Sequence, residues 1–307
     1  MPATPVDLTN KKILITGPTG QVALPVVEHY AKIADVYALA RFRKPEDRKQ
    51  IESLGAKVLQ ADLADASSLD VVPEDFDYVL NFAVVKSGDF EYDLAANAEG
   101  VGNLMARCRT AKAFLHFSST AVYEYCGQEP RAENAPLGDN HRVMFPTYSI
   151  SKIAAETVCR FFARQQKIPT TIARLSVPYG DNGGWMYFHM LMMQQGIAID
   201  LHPDKPNYYN PLHSDDYIEK IPYLLGAASA DVTTVNFGGS QKVSIEQWCA
   251  YITELTGFEP NFQDNAKAFG SLCIDLEKMH GLIGETKVDW RDGIRRQLEN
   301  LAPDLLR

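Results

Sequence analysis

The chain has 307 residues, 46% of them hydrophobic and 22% charged, with 20 glycines and 17 prolines. Such composition is globular, and a chain this long buries roughly three quarters of its unfolded surface, so it needs neither disulfides nor metal to fold. A formal charge of -9 argues against a nucleic-acid partner, whose phosphates require clustered Lys and Arg.

Short apolar runs alternate with longer stretches of helical period. KKILIT, VYALA, AKVLQAD, DYVLNFA, AFLHFSS, TTIARLS and TTVNFGG read as strands, most of them apolar on both faces. Between them QVALPVVEHYAKIA, PEDRKQIESLG, FEYDLAANAEGVGNLMARCRTA and YSISKIAAETVCRFFARQQK read as helices. This alternation predicts a doubly wound α/β fold, a parallel Rossmann-type sheet covered by helices on both faces. After Tyr179 the alternation weakens: a Gly/Asn loop leads into an aromatic, Met-rich helix, then a Pro- and Tyr-rich stretch, then helical patterns from Ser244 onward. Residues 1–179 with about 213–238 are therefore expected to form the dinucleotide-type domain. Residues 180–212 and 239–307 are expected to form a smaller substrate-binding lobe.

The five cysteines, Cys108, Cys126, Cys159, Cys249 and Cys273, are widely spaced and never in a CxxC pair. They fit buried reduced thiols better than disulfides or a zinc site. The first dozen residues read as a short flexible lead-in rather than a signal peptide, and no apolar run reaches the roughly eighteen residues of a membrane span. The expectation is a soluble cytoplasmic protein with no metal, membrane or nucleic-acid partner.

The first predicted strand runs into Gly17-Pro18-Thr19-Gly20-Gln21-Val22-Ala23 and then a helix. Glycines permit a sharp turn and close approach, and a helix start offers free N–H groups to a pyrophosphate. At the end of the second strand a site for NAD places Asp or Glu; here Ala40 is followed by Arg41, with Arg43 nearby. A guanidinium suits a 2′-phosphate and a carboxylate repels it, so NADP(H) is favoured over NAD(H). Asp62 and Leu63 close the third strand, where Asp62 is placed either to receive an adenine amino group or to cap the next helix.

Tyr148-Ser149-Ile150-Ser151-Lys152 sets a phenol four residues before an ammonium, on one helical face. A phenol of pKa ~10 exchanges protons poorly at neutral pH, and a neighbouring cation favours its ionised form. With Ser119 placed to bond a developing oxyanion, Tyr148 then serves as general acid or base toward a carbonyl/alcohol pair. Thr120 is the second choice for the role of Ser119.

These motifs together resemble the extended short-chain dehydrogenase/reductases, the group of NAD-dependent epimerase/dehydratase proteins. TGPTGQVA is similar to the group's TGxxGxxG loop, Asn81-Phe82-Ala83 to a strand end beneath the cofactor, and NAEGVGNL (97–104) to its NVxGTxNL helix. FSSTAVY (117–123), Tyr148-xxx-Lys152, RLSVPYG (174–180) and HSDD (213–216) follow in the group's order. The resemblance implies Ser119, Tyr148, Lys152 and Asn97 as catalytic residues, Asn97 through a water-linked proton path. It implies Gly17, Thr19, Gly20, Gln21, Val22, Arg41, Asp62, Leu63, Phe82, Ala83, Lys152 and Pro178 as cofactor contacts, Lys152 through the ribose.

The departures narrow the reaction. Dehydratases of the group carry an Asp-Glu pair where this chain has Thr120 and Ala121, so loss of water is not expected. Nucleotide-sugar members carry an arginine near the position of Tyr209, and an uncharged phenol cannot replace that fork on a diphosphate; Lys205 is the nearest substitute. An NADP(H)-dependent oxidoreductase acting on a small molecule is expected first, a sugar epimerase second, a non-catalytic dinucleotide sensor third. Relatives pair the helices containing Asn97–Arg109 and Tyr148–Gln165, which implies a homodimer.

Overall fold

The computed structural model describes residues 2–307. Strands β1 (Lys12–Thr16), β2 (Asp35–Ala40), β3 (Lys57–Gln60), β4 (Tyr78–Asn81), β5 (Ala113–Ser119) and β6 (Thr170–Leu175) join an edge strand, Thr233–Phe237, in one sheet. The spatial order is edge strand, β6, β5, β4, β1, β2, β3, and every neighbouring pair is parallel. All seven expected strands are present. The order reverses between β1 and β4, which opens a crevice beyond the carboxyl ends of the strands.

The α-helices, in chain order, are α1 (Ala23–Tyr30), α2 (Pro45–Ser53), α3 (Phe90–Leu94), α4 (Gly100–Arg107), α5 (Tyr148–Gln166), α6 (Trp185–Gln194), α7 (Ser214–Gly226), α8 (Ile245–Thr256), α9 (Glu277–Ile283) and α10 (Trp290–Leu301). Alternation along the strands divides the core: Ile13, Ile15 and Leu80 meet α1, α7 and α9, whereas Leu14, Val79 and Phe114 meet α4 and α5. A third cluster lies apart from these two, where Met186 and Met190 of α6 pack with Trp248, Ile252, Ile294 and Leu298.

Three local features differ from the sequence reading. The single helix expected over 90–111 is interrupted by a π-helical turn at Ala95–Glu99, which inserts Asn97 toward the sheet. Helix α9, expected in the lobe, sends Met279 and Ile283 into the sheet core instead. The N-terminal lead-in is tied down: Ala3 N–H donates to the Leu282 carbonyl (2.8 Å) and Val6 N–H to that of Pro222 (3.1 Å). Gly226 makes room for it, since a Cβ there would lie 1.9 Å from the Thr4 carbonyl oxygen. Four cysteines are buried; Cys126 is exposed, contrary to the expectation. No helix of the described residues is long and apolar enough to cross a membrane.

Candidate active site

The expected site residues line two adjoining cavities. A cleft of about 370 Å³ is bounded by Gly17, Thr19, Gly20, Arg41, Asp62 and Leu63, with Ala83 and Asn97 on its far wall. A second cavity of about 570 Å³ has Gln21, Val22, Ser119, Tyr148, Lys152 and Pro178 in its lining, and Phe82 belongs to both.

The cleft follows from strand ends. Gly17 has φ 64, and a Cβ there would stand 3.0 Å from the Ala83 Cα, so only glycine fits this turn. Its N–H donates to the Leu39 carbonyl, and the Gly20 N–H donates back to Gly17. Helix α1 has no side-chain cap at Val22; Leu24 N–H donates to the Gly20 carbonyl and Pro25 has none, which leaves the N–H groups of Val22 and Ala23 at the helix start for an anion. Gln21 braces the loop against the second lobe by donating to the Gly183 carbonyl, while Asn182 donates to the Gln21 carbonyl.

The far end of the cleft is basic. Phe42, buried and left-handed at φ 41, anchors a turn that leaves Arg43 and Lys44 exposed. Arg41 donates to the Tyr92 hydroxyl (2.6 Å), which donates to the Asp62 carboxylate (3.0 Å). Tyr92 thus joins two residues expected to act separately. The following turn is capped by Asp65, while Asp62 borders the cleft with its carboxylate accepting from the Ala64 N–H (3.1 Å) and from Tyr92.

In the second cavity, Ser119 ends β5 and Tyr148 begins α5. The Ser119 hydroxyl accepts from the Ala121 N–H (3.1 Å). Burial holds the Tyr148 phenol above its ordinary pKa, and a hydrogen bond from Ser119 pulls the other way. Lys152 makes no hydrogen bond to the phenol: its ammonium donates to the Phe117 carbonyl (2.8 Å), and burial lowers its pKa to about 8. Beneath it lies a buried ionic cluster. Glu156 accepts from Arg174 (2.8 and 2.9 Å), Arg160 (3.1 Å) and Ser118 (2.7 Å). Burial opposes its charge, and the paired cations and Ser118 keep its pKa below the ordinary value.

Asn97 is fully engaged. Its carbonyl oxygen accepts from the Val85 N–H, and its amide donates to the Val85 carbonyl and to Ser151. Asp93 reinforces the same loop by accepting from Ser87, Gly88 and Thr147. This clamped loop carries Lys86 to 4.5 Å from the Phe145 ring and 5.4 Å from that of Tyr148. Lys86, Asp93, Thr147 and His141 escaped sequence reading, because nothing in their own neighbourhoods marks them. His189 and His213 are structural: the first accepts from Trp248, the second from the Asp215 N–H. Tyr209 lies in the cavity wall with its hydroxyl bonded to the Gly270 carbonyl (2.9 Å), and Lys205 is paired with Asp264. Among the described residues no cluster of His, Cys, Asp or Glu is arranged for a metal ion.

Comparison with known proteins agrees with this architecture. The dTDP-D-glucose 4,6-dehydratase of Bos taurus is 23% identical, covering 96% of this chain and 90% of its own. The uncharacterized UDP-glucose epimerase YtcB of Bacillus subtilis is 22% identical over 95% and 98% of the two chains. Among solved structures, DesIV, a dTDP-glucose 4,6-dehydratase from Streptomyces venezuelae with NAD and TYD bound, superposes with TM-score 0.81 at 18% identity, covering 95% of this chain and 97% of that one. A UDP-glucose 4-epimerase from Thermotoga maritima with UDP-glucose gives 0.80 at 20% identity, covering 96% and 99%. The sequence profile of the NAD dependent epimerase/dehydratase family matches residues 13–238, and the chain belongs to that family, within the extended short-chain dehydrogenase/reductases.

Proposed function

We propose that the chain is a nicotinamide-dependent oxidoreductase that interconverts a carbonyl and an alcohol, with Tyr148 as its general acid/base. The observation that carries this reading is the placement of Ser119, Tyr148 and Lys152 together in the lining of a cavity that shares Phe82 with the dinucleotide cleft. Gly17 leaves space that a side chain would fill, and the uncapped start of α1 offers N–H donors, so the residues present fit a dinucleotide. A bound nicotinamide supplies or accepts the hydride. Tyr148 gives its proton to the carbonyl oxygen, and Ser119 donates to the same oxygen as charge develops. Lys152 serves the ribose and keeps positive charge under the site. Asn97 acts as a positioning residue through Val85 and Ser151.

NADP(H) is the proposed cofactor. Ala40 removes the carboxylate, and Arg41, Arg43 and Lys44 all border the cleft with no carboxylate partner within ion-pair distance among the described residues. A sugar epimerase is the second reading, favoured by relatives and structural neighbours that carry that name. Elimination of water is disfavoured by Thr120 and Ala121. A homodimer through α4 and α5 is supported by the partly exposed apolar row Ile150, Ile153, Val158 and Phe162, extended by the exposed Phe161. Light scattering at micromolar concentration tests it, with a monomer counting against it. The functional reading is tested by following NADPH and NADH absorbance with the purified protein against aldehyde, ketone and sugar-nucleotide panels. Carbonyl-dependent loss of NADPH is expected; cofactor binding without turnover of any carbonyl would favour a sensor.

A further inference from the structure

Resting on the oxidoreductase reading, we propose that the catalytic cavity takes an uncharged aryl ketone or aldehyde rather than a sugar nucleotide. Its volume, about 570 Å³, is shared with the nicotinamide end of the cofactor, whose expected contacts Gln21, Val22, Phe82, Lys152 and Pro178 belong to the lining, so the substrate part suits a small ring compound. The lining is aromatic, with Phe145, Trp185, Phe188, Tyr209 and Phe269 all in it. These rings brace one another. Trp185 meets Tyr209 edge-on at 5.0 Å, and His141 stacks on Phe269 at 4.2 Å. Such surfaces bind a flat ring through offset and edge contacts.

The polar lining is mostly committed to the protein. Ser118 donates to Glu156, Gln21 to Gly183, Tyr209 to Gly270 and Lys152 to Phe117. What remains for a ligand is Ser119 and Tyr148, where one carbonyl oxygen is served, with the Thr120 hydroxyl beside them and the Trp185 N–H and Lys86 ammonium farther along the wall. A hexose would bring more hydroxyls than these few groups can pair, at a cost for each one left unpaired.

A diphosphate fares worse. No arginine lines the cavity: Arg131 donates to the carbonyls of Glu124 and Gly127, Arg174 to Glu156, and Arg296 to Asp181 and Asp215. Lys86 is a single point charge already lying over the Phe145 and Tyr148 rings, without the planar fork that grips a diphosphate. A third cavity of about 240 Å³, which shares His141, Tyr209, Phe269 and Leu272 with this one, offers Lys267, but its wall residue Tyr125 donates to the Asp204 carboxylate, whose charge opposes a phosphate. The mouth is flanked by Met144 and Phe188, exposed by 59% and 63%, so the approach is apolar as well.

The test is calorimetric titration of the protein saturated with NADP⁺, using acetonaphthone and UDP-glucose as probes. Acetonaphthone is expected to bind at least about tenfold more tightly than UDP-glucose. Phe188→Ala, at an exposed position that does not threaten folding, is expected to weaken acetonaphthone by about tenfold and to leave UDP-glucose unchanged. Tighter binding of UDP-glucose, or binding of neither probe, overturns the proposal. Turnover is read separately, as NADPH consumption with acetonaphthone and as NADPH formation from NADP⁺ with UDP-glucose, whose alcohols can only give up a hydride. Acetonaphthone that binds without turnover sinks the hydride-transfer reading and keeps the ligand class, whereas oxidation of UDP-glucose without acetonaphthone binding does the reverse.

Discussion

The dinucleotide cleft and the catalytic cavity share a wall and are built in opposite ways. The cleft is made at the ends of β1 to β4, and each of its contacts is set within a few residues of a strand end: the turn at Gly17, the basic stretch after Ala40, the acid at Asp62. The cavity is collected from β5, α5, α6, the 84–88 loop and side chains as distant as Phe269. A ligand held by backbone N–H groups and a few charges demands particular residues at fixed spacing. A ligand held by apolar walls demands only shape, which many sequences supply.

The largest expected effect separates the two regions. Tyr148→Phe removes one hydroxyl from the cavity, so turnover should fall by about 10²–10⁴-fold while cofactor affinity, measured by titration, stays unchanged. Next comes the ionic cluster under the cavity. Glu156→Ala leaves Arg174 buried without its partner, and denaturant unfolding should show a loss of about 3–5 kcal/mol. Arg41→Ala acts on the cleft alone. It should weaken NADP(H) by about ten- to a hundredfold, or roughly 1.5–3 kcal/mol, and spare NAD(H). Equal affinities for the two cofactors in the wild type would remove the basis for the proposed preference.

The smallest effect is a pH dependence of stability. Burial lowers the pKa of His116 to about 3 and of His189 to about 4, so both are neutral in the fold. As pH falls below the unfolded value near 6.5, the unfolded chain takes up protons first, and stability declines. Between pH 6.5 and 5.5 each histidine should withdraw about 1 kcal/mol, visible as a falling melting temperature. A melting temperature flat across that interval would show that both histidines are charged in the fold, and half the expected decline that one is.

How much was legible in the sequence follows the same division. The seven strands and their parallel order are strongly patterned, because strands covered on both faces are continuously apolar. Tyr148, Lys152, Ser119 and the phosphate loop were found at their places because each lies in a short motif at an element boundary. The π-helical turn at Ala95–Glu99 was not found, since its residues fit a regular helix and only the Asn97 bonds to Val85 and Ser151 draw it out of register. Lys86 and His141 owe their position to loops that fold against distant partners, Asp93 with Thr147 in one case and Phe269 in the other. The expectation that Lys152 would ionise the phenol rested on helical spacing alone. It missed the Phe117 carbonyl, which comes from a strand 35 residues away in sequence and takes the ammonium.

The central claim is that a cofactor held in one region exchanges hydride with a carbonyl whose proton comes from Tyr148 in the other. Single-turnover reaction of deuterated NADPH with a carbonyl substrate, in wild type and Tyr148→Phe at saturating cofactor, tests it most directly. The account predicts deuterium on the former carbonyl carbon in the wild type and a transfer rate lower by about 10²–10⁴-fold in the variant. Equal rates in the two proteins, or no transfer from cofactor that is demonstrably bound, would contradict it.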